Sequence, residues 1–219
     1  MEIVPILTAV LGSILVGLIG YLLGSINSAI IITKLWSSQD IRALGSGNAG
    51  MTNVLRTQGK IPAVLTIVGD LSKGIIAVLL ARLIFSWFSI TYMDGAYIAG
   101  MFALLGHLFP VYFGFKGGKG VLVSAAVILV INPWVLLVLF VVFVLVVAVS
   151  RFVSLGSIAC AVLYPLVTMA VLLFQGRPAL GGTIFALLMS IIVFYMHRGN
   201  IRRLLDGTES RLGSKKNEK

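Results

Sequence analysis

Long apolar runs limit what this chain can fold into. Residues 4–24, 61–85, 95–113, 154–174 and 180–196 each supply enough consecutive apolar side chains to cross a bilayer, which takes about 20. The chain is 59% hydrophobic, against roughly 45–50% for a soluble domain. It therefore reads as an integral membrane protein built of helices, since a span of this kind satisfies its backbone internally only as a helix. The first run, opening as MEIVPILTAV, has no basic leader and no small-residue cleavage site before Tyr21, so it reads as a retained span. It continues as SINSAIIITKLW to Trp36, extending or breaking near Gly24 and Ser25.

Residues 121–150 are too long for one ordinary span and short for two. Asn132-Pro133 divides them, and proline ends or kinks a helix. Charge decides the count. With two spans here the total is seven, and Lys34, Arg42, Arg56, Lys60, Lys116, Lys119, Arg151 and the seven cations from Arg198 to Lys219 share one side. Only Arg177 and Arg82 then belong to the other. The positive-inside rule predicts an all-α polytopic protein of seven transmembrane helices, N-terminus outside and C-terminus cytoplasmic. With neither repeat nor linker, residues 1–212 read as a single transmembrane domain and 213–219 as a basic, disordered tail. Three polar segments, 37–60, 114–120 and 197–211, are then expected to meet on the cytoplasmic side, where the site is placed.

The net charge is +10 on a chain with only 7 acidic residues. Cations beside spans orient the protein and meet anionic lipid or substrate, so nucleic acid is not an expected partner. The single cysteine, Cys160, lies in an apolar run and offers neither a disulfide nor a cysteine metal cluster.

Two glycine-rich strings carry the chemistry. GSGNAGMTNVLR, Gly45 to Arg56, joins Ser46, Gly47 and Asn48 to Thr52, Asn53 and Arg56. If residues 51–58 are helical, Asn53 and Arg56 share a face. The formal GxGxxG match means nothing without a βαβ unit. FKGGKGV, Phe115 to Val121, sets Lys116 and Lys119 around Gly117 and Gly118. It fails as a P-loop, because Gly120 follows Lys119 and Phe113 holds the first glycine position. Both strings combine backbone N–H groups with fixed cations, which suits phosphate. The plainer readings are a re-entry loop packed on glycines and a positive-inside turn.

His107 has two readings, a hydrogen bond to a neighbouring helix or a site residue. Asp70 and Lys73, three apart within a span, are expected to pair and to support the site. In HRGNIRRLLDGTESR, His197, Asn200 and either Arg202 or Arg203 can share one face of a helix leaving the last span; a basic surface helix is the alternative. Ser154, after Arg151, reads as a helix N-cap.

GSGNAGMTNVLR, GHLFPVYFGFKGGKGV and HRGNIRRL resemble, in order and spacing, the three signature motifs of the bacterial acyl-phosphate-dependent glycerol-3-phosphate acyltransferases, and RFVSLGSI resembles a further family segment. The resemblance implies transfer of a fatty acyl group from acyl phosphate to the 1-hydroxyl of glycerol 3-phosphate, giving lysophosphatidate and phosphate in the bacterial cell membrane. It implies no cofactor and no metal, with the enzyme that makes acyl phosphate as a partner. The family's substrate-contacting positions fall on Ser46, Asn48, Asn53, Arg56, His107, Lys116, Lys119, Ser154, His197 and Asn200; Gly47, Gly117, Gly118 and Arg202 complete the expected site. His197, Asn200, Lys119 and Ser46 are the expected catalytic set. Asn27 stands where the family commonly has proline in GSIP, and Gly199 fills the variable place of HRxN.

The chemistry fits the residues. Acyl phosphate is already activated, so positioning and charge stabilisation are the main needs, with His197, His107 or a substrate phosphate as the proton acceptor. Five residues after His107 and His197 stand Tyr112 and Arg202, so the His-x4-Asp motif of other glycerolipid acyltransferases is missing. A metal-dependent phosphatidyl transferase would need clustered carboxylates. A transporter of organic phosphate is the rival of a different class, and it requires a polar path that the sequence does not supply past Asp70.

Overall fold

The structure, a computed structural model, describes residues 3–213. The tail expected to be disordered, 213–219, lies outside the described residues apart from Gly213. Every α or 3-10 element is helical and no strand occurs among the described residues. The chain divides into two compact units, Met1–Ile131 and Asn132–Lys219.

The first unit holds α1 (Ile3–Ser25), α2 (Ser28–Ser37), α3 (Met51–Gln58), α4 (Lys60–Trp87), α5 (Gly95–Leu108) and α6 (Val121–Ile131). The second holds α7 (Pro133–Ser150), α8 (Val153–Phe174), α9 (Leu180–Met196) and α10 (Arg198–Leu205). Five stretches are long and apolar enough to cross a membrane: Pro5–Ser37, Lys60–Trp87, Gly95–Phe113, Pro133–Ser150 and Val153–Phe174. α9 and α10, bent by 55° at their junction, make a sixth if taken as one span. The apolar α6, at 11 residues, is only about 17 Å long, short of the ~30 Å hydrocarbon thickness. Large apolar side chains stand exposed on these helices, Val149 at 87% and Phe174 at 94%, as suits a chain whose solvent is lipid.

Helix breaks follow local chemistry. The first run does break, and Asn27 starts α2 by accepting the Ile30 N–H at 3.1 Å through its side-chain oxygen. Asn132 caps α7 by accepting the Trp134 N–H at 3.2 Å, and Pro133 occupies the first turn, where its missing donor costs nothing.

Small residues draw α1 against α5. A Cβ on Gly20 would lie 2.6 Å from the Ala99 carbonyl oxygen, and Cβ atoms on Gly24 and Gly106 would collide with the backbones of Ala103 and Tyr21. This is the close backbone approach by which membrane helices gain van der Waals contact without a hydrophobic drive between them. Arg82 of α4 pairs with Asp94 at 2.8 Å and donates to the Val130 carbonyl of α6 at 3.1 Å. In the second unit Gly156 of α8 lies against Phe143 and Val147 of α7. The C-terminal segment folds back on the α7–α8 corner, with the Leu212 N–H donating to the Arg151 carbonyl at 2.7 Å.

Candidate anion-binding active site

In the first unit, residues 38–59 fold over a small apolar core of Ala29, Ile30, Ile41, Ala49, Val54 and Ala63. Asn53 organises the loop above it. Buried on α3, it donates to the carbonyls of Leu44 at 2.9 Å, Asn48 at 3.1 Å and Ile41 at 3.2 Å, and its Oδ1 accepts the Ser46 N–H at 2.9 Å. The turn requires glycine at position 45, where φ is +56° and a Cβ would meet Asn53 and Thr57. Residues 51–58 are helical, yet Asn53 and Arg56 differ in burial: Asn53 is buried, whereas Arg56 is exposed, as are Ser46 and Gly47, with Asn48 half-buried.

Arg42 links the first polar segment to the second. It holds Asp40 through two parallel contacts, Nε to Oδ1 at 3.0 Å and Nη2 to Oδ2 at 2.7 Å, and donates through Nη1 to the carbonyls of Phe113 at 2.6 Å and Lys116 at 3.3 Å. The guanidinium holds the Asp40 carboxyl below its ordinary range, against a smaller opposing effect of burial. From the sequence alone Arg42 is only one of the orienting charges, and its Asp-x-Arg spacing is the available signal.

The glycine amides are not bare, and this corrects the expectation that they face an anion. The Gly117 and Gly118 N–H groups donate to the Leu108 and His107 carbonyls at 3.0 and 3.2 Å, closing the C-terminus of α5, and the Gly47 N–H donates to Leu44 at 2.9 Å. These glycines serve close packing: a Cβ on Gly117 would lie 2.8 Å from the Leu108 carbonyl oxygen and one on Gly118 would lie 2.6 Å from that of Ala49. Of the expected phosphate-binding side chains in this unit, Arg56, Lys116 and Ser46 are exposed and Lys119 and Asn48 are half-buried.

Below the second loop, Asp70 and Lys73 pair as expected, at 2.9 Å. Lys73 also donates to the Ile26 carbonyl at 2.8 Å and lies 2.9 Å from His107 Nδ1. All three side chains are buried.

In the second unit His197 and Asn200 are both buried. His197 sits at the bend between α9 and α10, and its Nδ1 lies 2.8 Å from the Val193 carbonyl. A carbonyl only accepts, so Nδ1 carries the proton and Nε2 is the acceptor nitrogen of the neutral ring. Of the two arginines, Arg203 shares Asn200's side of α10; Arg202 points outward, 3.8 Å from Asp206. The residue missed by sequence reasoning is Glu209. Its carboxylate accepts from Ser154 Oγ at 2.7 Å, Asn200 Nδ2 at 2.7 Å and Arg203 Nε at 2.6 Å. Burial pushes the Glu209 pKa up, but the three donors outweigh it and the net direction is down. Ser154 is not the N-cap expected of it, since Phe152 holds that position; its hydroxyl reaches across to Glu209 instead.

These features define an all-helical membrane protein whose polar segments set fixed cations around glycine turns. Residues 14–207 match the sequence profile of glycerol-3-phosphate acyltransferases, and the chain belongs to that family. It is 40% identical over 206 residues to a glycerol-3-phosphate acyltransferase of Clostridioides difficile, covering 93% of this chain and 97% of that one. A namesake from Syntrophomonas wolfei is 42% identical over 195 residues, covering 89% and 94%. The crystal structure of PlsY, an integral membrane glycerol 3-phosphate acyltransferase in its glycerol 3-phosphate form, matches with a TM-score of 0.80 and 38% identity over 92% of this chain and 96% of that one. Its lysophosphatidic acid form matches at 0.78. The chain is thus an integral membrane acyltransferase of the phospholipid-synthesis class.

Proposed function

We propose that this chain transfers a fatty acyl group from acyl phosphate to the 1-hydroxyl of glycerol 3-phosphate, giving lysophosphatidate and phosphate. The observation that carries the reading is the match over 92% of the chain to a solved integral membrane glycerol 3-phosphate acyltransferase in its glycerol 3-phosphate form. The local chemistry supports it. Both substrates are phosphate esters or anhydrides, and the polar segments offer Arg56, Lys116 and Lys119 with few competing acids.

In this reading the hydroxyl oxygen attacks the acyl carbonyl, the carbon–oxygen bond to phosphate breaks, and phosphate leaves with its electron pair. Arg56, Lys116 and Lys119 bind phosphate. Ser46 and Asn200 orient the reactants. His197 lies near the reacting hydroxyl, whose proton passes to its Nε2 or to a substrate phosphate oxygen. Asn48, His107 and Ser154 complete the proposed contacts, while Gly47, Asn53, Gly117 and Gly118 shape the loops that present them and Arg202 adds positive charge at the surface. The protein crosses a bacterial inner membrane seven times, with α6 as the short fourth span, the N-terminus outside and the site cytoplasmic, where acyl phosphate is delivered by the enzyme that makes it.

The test is a donor comparison. Purified protein in lipid or mild detergent receives labelled glycerol 3-phosphate with palmitoyl phosphate, palmitoyl-CoA or palmitoyl carrier protein. Lysophosphatidate from acyl phosphate alone is the expected result. Product from the thioesters instead would overturn the donor, and no product from any donor would restore the transporter reading.

A further inference from the structure

We propose that Lys73, braced by Asp70, is a positioning residue that holds His107 as a neutral Nε2–H donor against the second glycine loop, and so removes His107 from the candidates for proton acceptor. The inference rests on the acyltransferase reading for its kinetic consequence, though not for the state of the ring.

The argument is one of hydrogen-bond direction. A lysine ammonium carries three donors and no acceptor. Three groups surround Lys73 Nζ: the Asp70 carboxylate at 2.9 Å, the Ile26 carbonyl at 2.8 Å and His107 Nδ1 at 2.9 Å. The first two can only accept. The third must accept as well, because a proton on Nδ1 would face the ammonium. Asp70 offers no rescue for such a proton, since its Oδ1 lies 3.7 Å from His107 Nδ1, beyond hydrogen-bond reach. The proton of the ring is therefore on Nε2.

That edge of the ring faces the functional loops. A Cβ built on Gly118 would run into His107 Nε2 and lie 2.6 Å from the Ala49 carbonyl oxygen, so Gly118 packs closely against both the ring and the first polar loop. The His107 carbonyl also accepts the Gly118 N–H at 3.2 Å. One residue thus contacts the turn through both backbone and ring, and the ring's orientation is set from behind by Lys73. The Ile26 carbonyl belongs to the break between α1 and α2, where helix ends leave orphan acceptors; Lys73 satisfies it and ties that break to the same point. His197 has the opposite arrangement, with Nδ1–H donating to Val193.

The chain has two histidines, so ¹⁵N spectra of histidine-labelled protein in lipid resolve the question, with His197→Asn assigning the remaining ring. The expected result for His107 is an unprotonated Nδ1 and a protonated Nε2 throughout the pH range in which the protein is active. A protonated Nδ1, as either the other tautomer or imidazolium, would overturn the proposal. The Asp70→Asn/Lys73→Met double variant, which leaves no unpaired buried charge, is expected to mix the His107 tautomers. It should raise KM for glycerol 3-phosphate about tenfold while kcat falls less than KM rises. A folded double variant with unchanged KM would also overturn it. Should the variant not fold, the wild-type spectrum decides alone. A wild-type protein inert with every acyl donor would remove the acyltransferase reading and leave the ring's tautomer measurable.

Discussion

Arg56 and Lys119 are proposed to bind phosphate from different surroundings, Arg56 exposed on α3 and Lys119 half-buried at the end of the second glycine loop. Each replaced by alanine is expected to lower acyl transfer by about 100-fold or more, the scale of losing a charge-stabilising donor, with membrane insertion intact. Full activity in both would end the phosphate assignments. Glu209 offers a test in pH. Its folded pKa lies below the 4.5 of an ordinary glutamate, so its contribution to stability is fully present above that value and is lost as pH falls through the folded one. Glu209→Gln is expected to melt a few degrees lower than wild type at neutral pH, with the difference closing in acid. A difference that persists in acid would show that the carboxylate's charge is not what Ser154, Asn200 and Arg203 require.

At the scale of elements, the contact between α1 and α5 depends on residues with no side chain to spare. Gly24→Leu is expected to force the two helices apart, at the 1–3 kcal/mol or more that overpacking costs, and to lower the yield of folded protein in detergent. Gly181 of α9, with nothing near its Cβ position, serves as the control: Gly181→Ala should leave melting unchanged or slightly raised. Equal sensitivity at both positions would argue against close packing as the cause. Which of these features the sequence made legible depends on their range. Asn132-Pro133 is a local signal, and the helix starts there. Asp70 and Lys73 are one turn apart, and they pair. The tie from Asn53 to Ile41, Leu44 and Asn48 runs only 5–12 residues, but the donor count of one asparagine does not reveal that it faces the loop rather than a ligand. Glu209 meets Ser154 across 55 residues, and nothing in the residue pattern near either predicts the other. The partners of the glycine amides are illegible for a related reason: a glycine-rich string looks the same whether its N–H groups face an anion or the end of the preceding helix.

At the scale of the whole molecule, +10 net charge with 7 acidic residues sets a protein that gathers anions and has little with which to bind cations. Among the described residues no three His, Cys, Asp or Glu side chains cluster as metal ligands would. Acyl transfer is accordingly expected to survive EDTA at full rate; loss on chelation with recovery on adding magnesium would call for a metal step. The Arg42 tie has a consequence for anyone recombining this chain with its relatives. Because its guanidinium joins Asp40 to the carbonyls of Phe113 and Lys116, the first polar loop and the second are inherited as a matched pair. A chimera that takes 38–59 from one parent and 109–120 from another breaks the match unless both parents place that arginine and those carbonyls alike, so the safe crossover points in this unit lie outside the pair, not between its members.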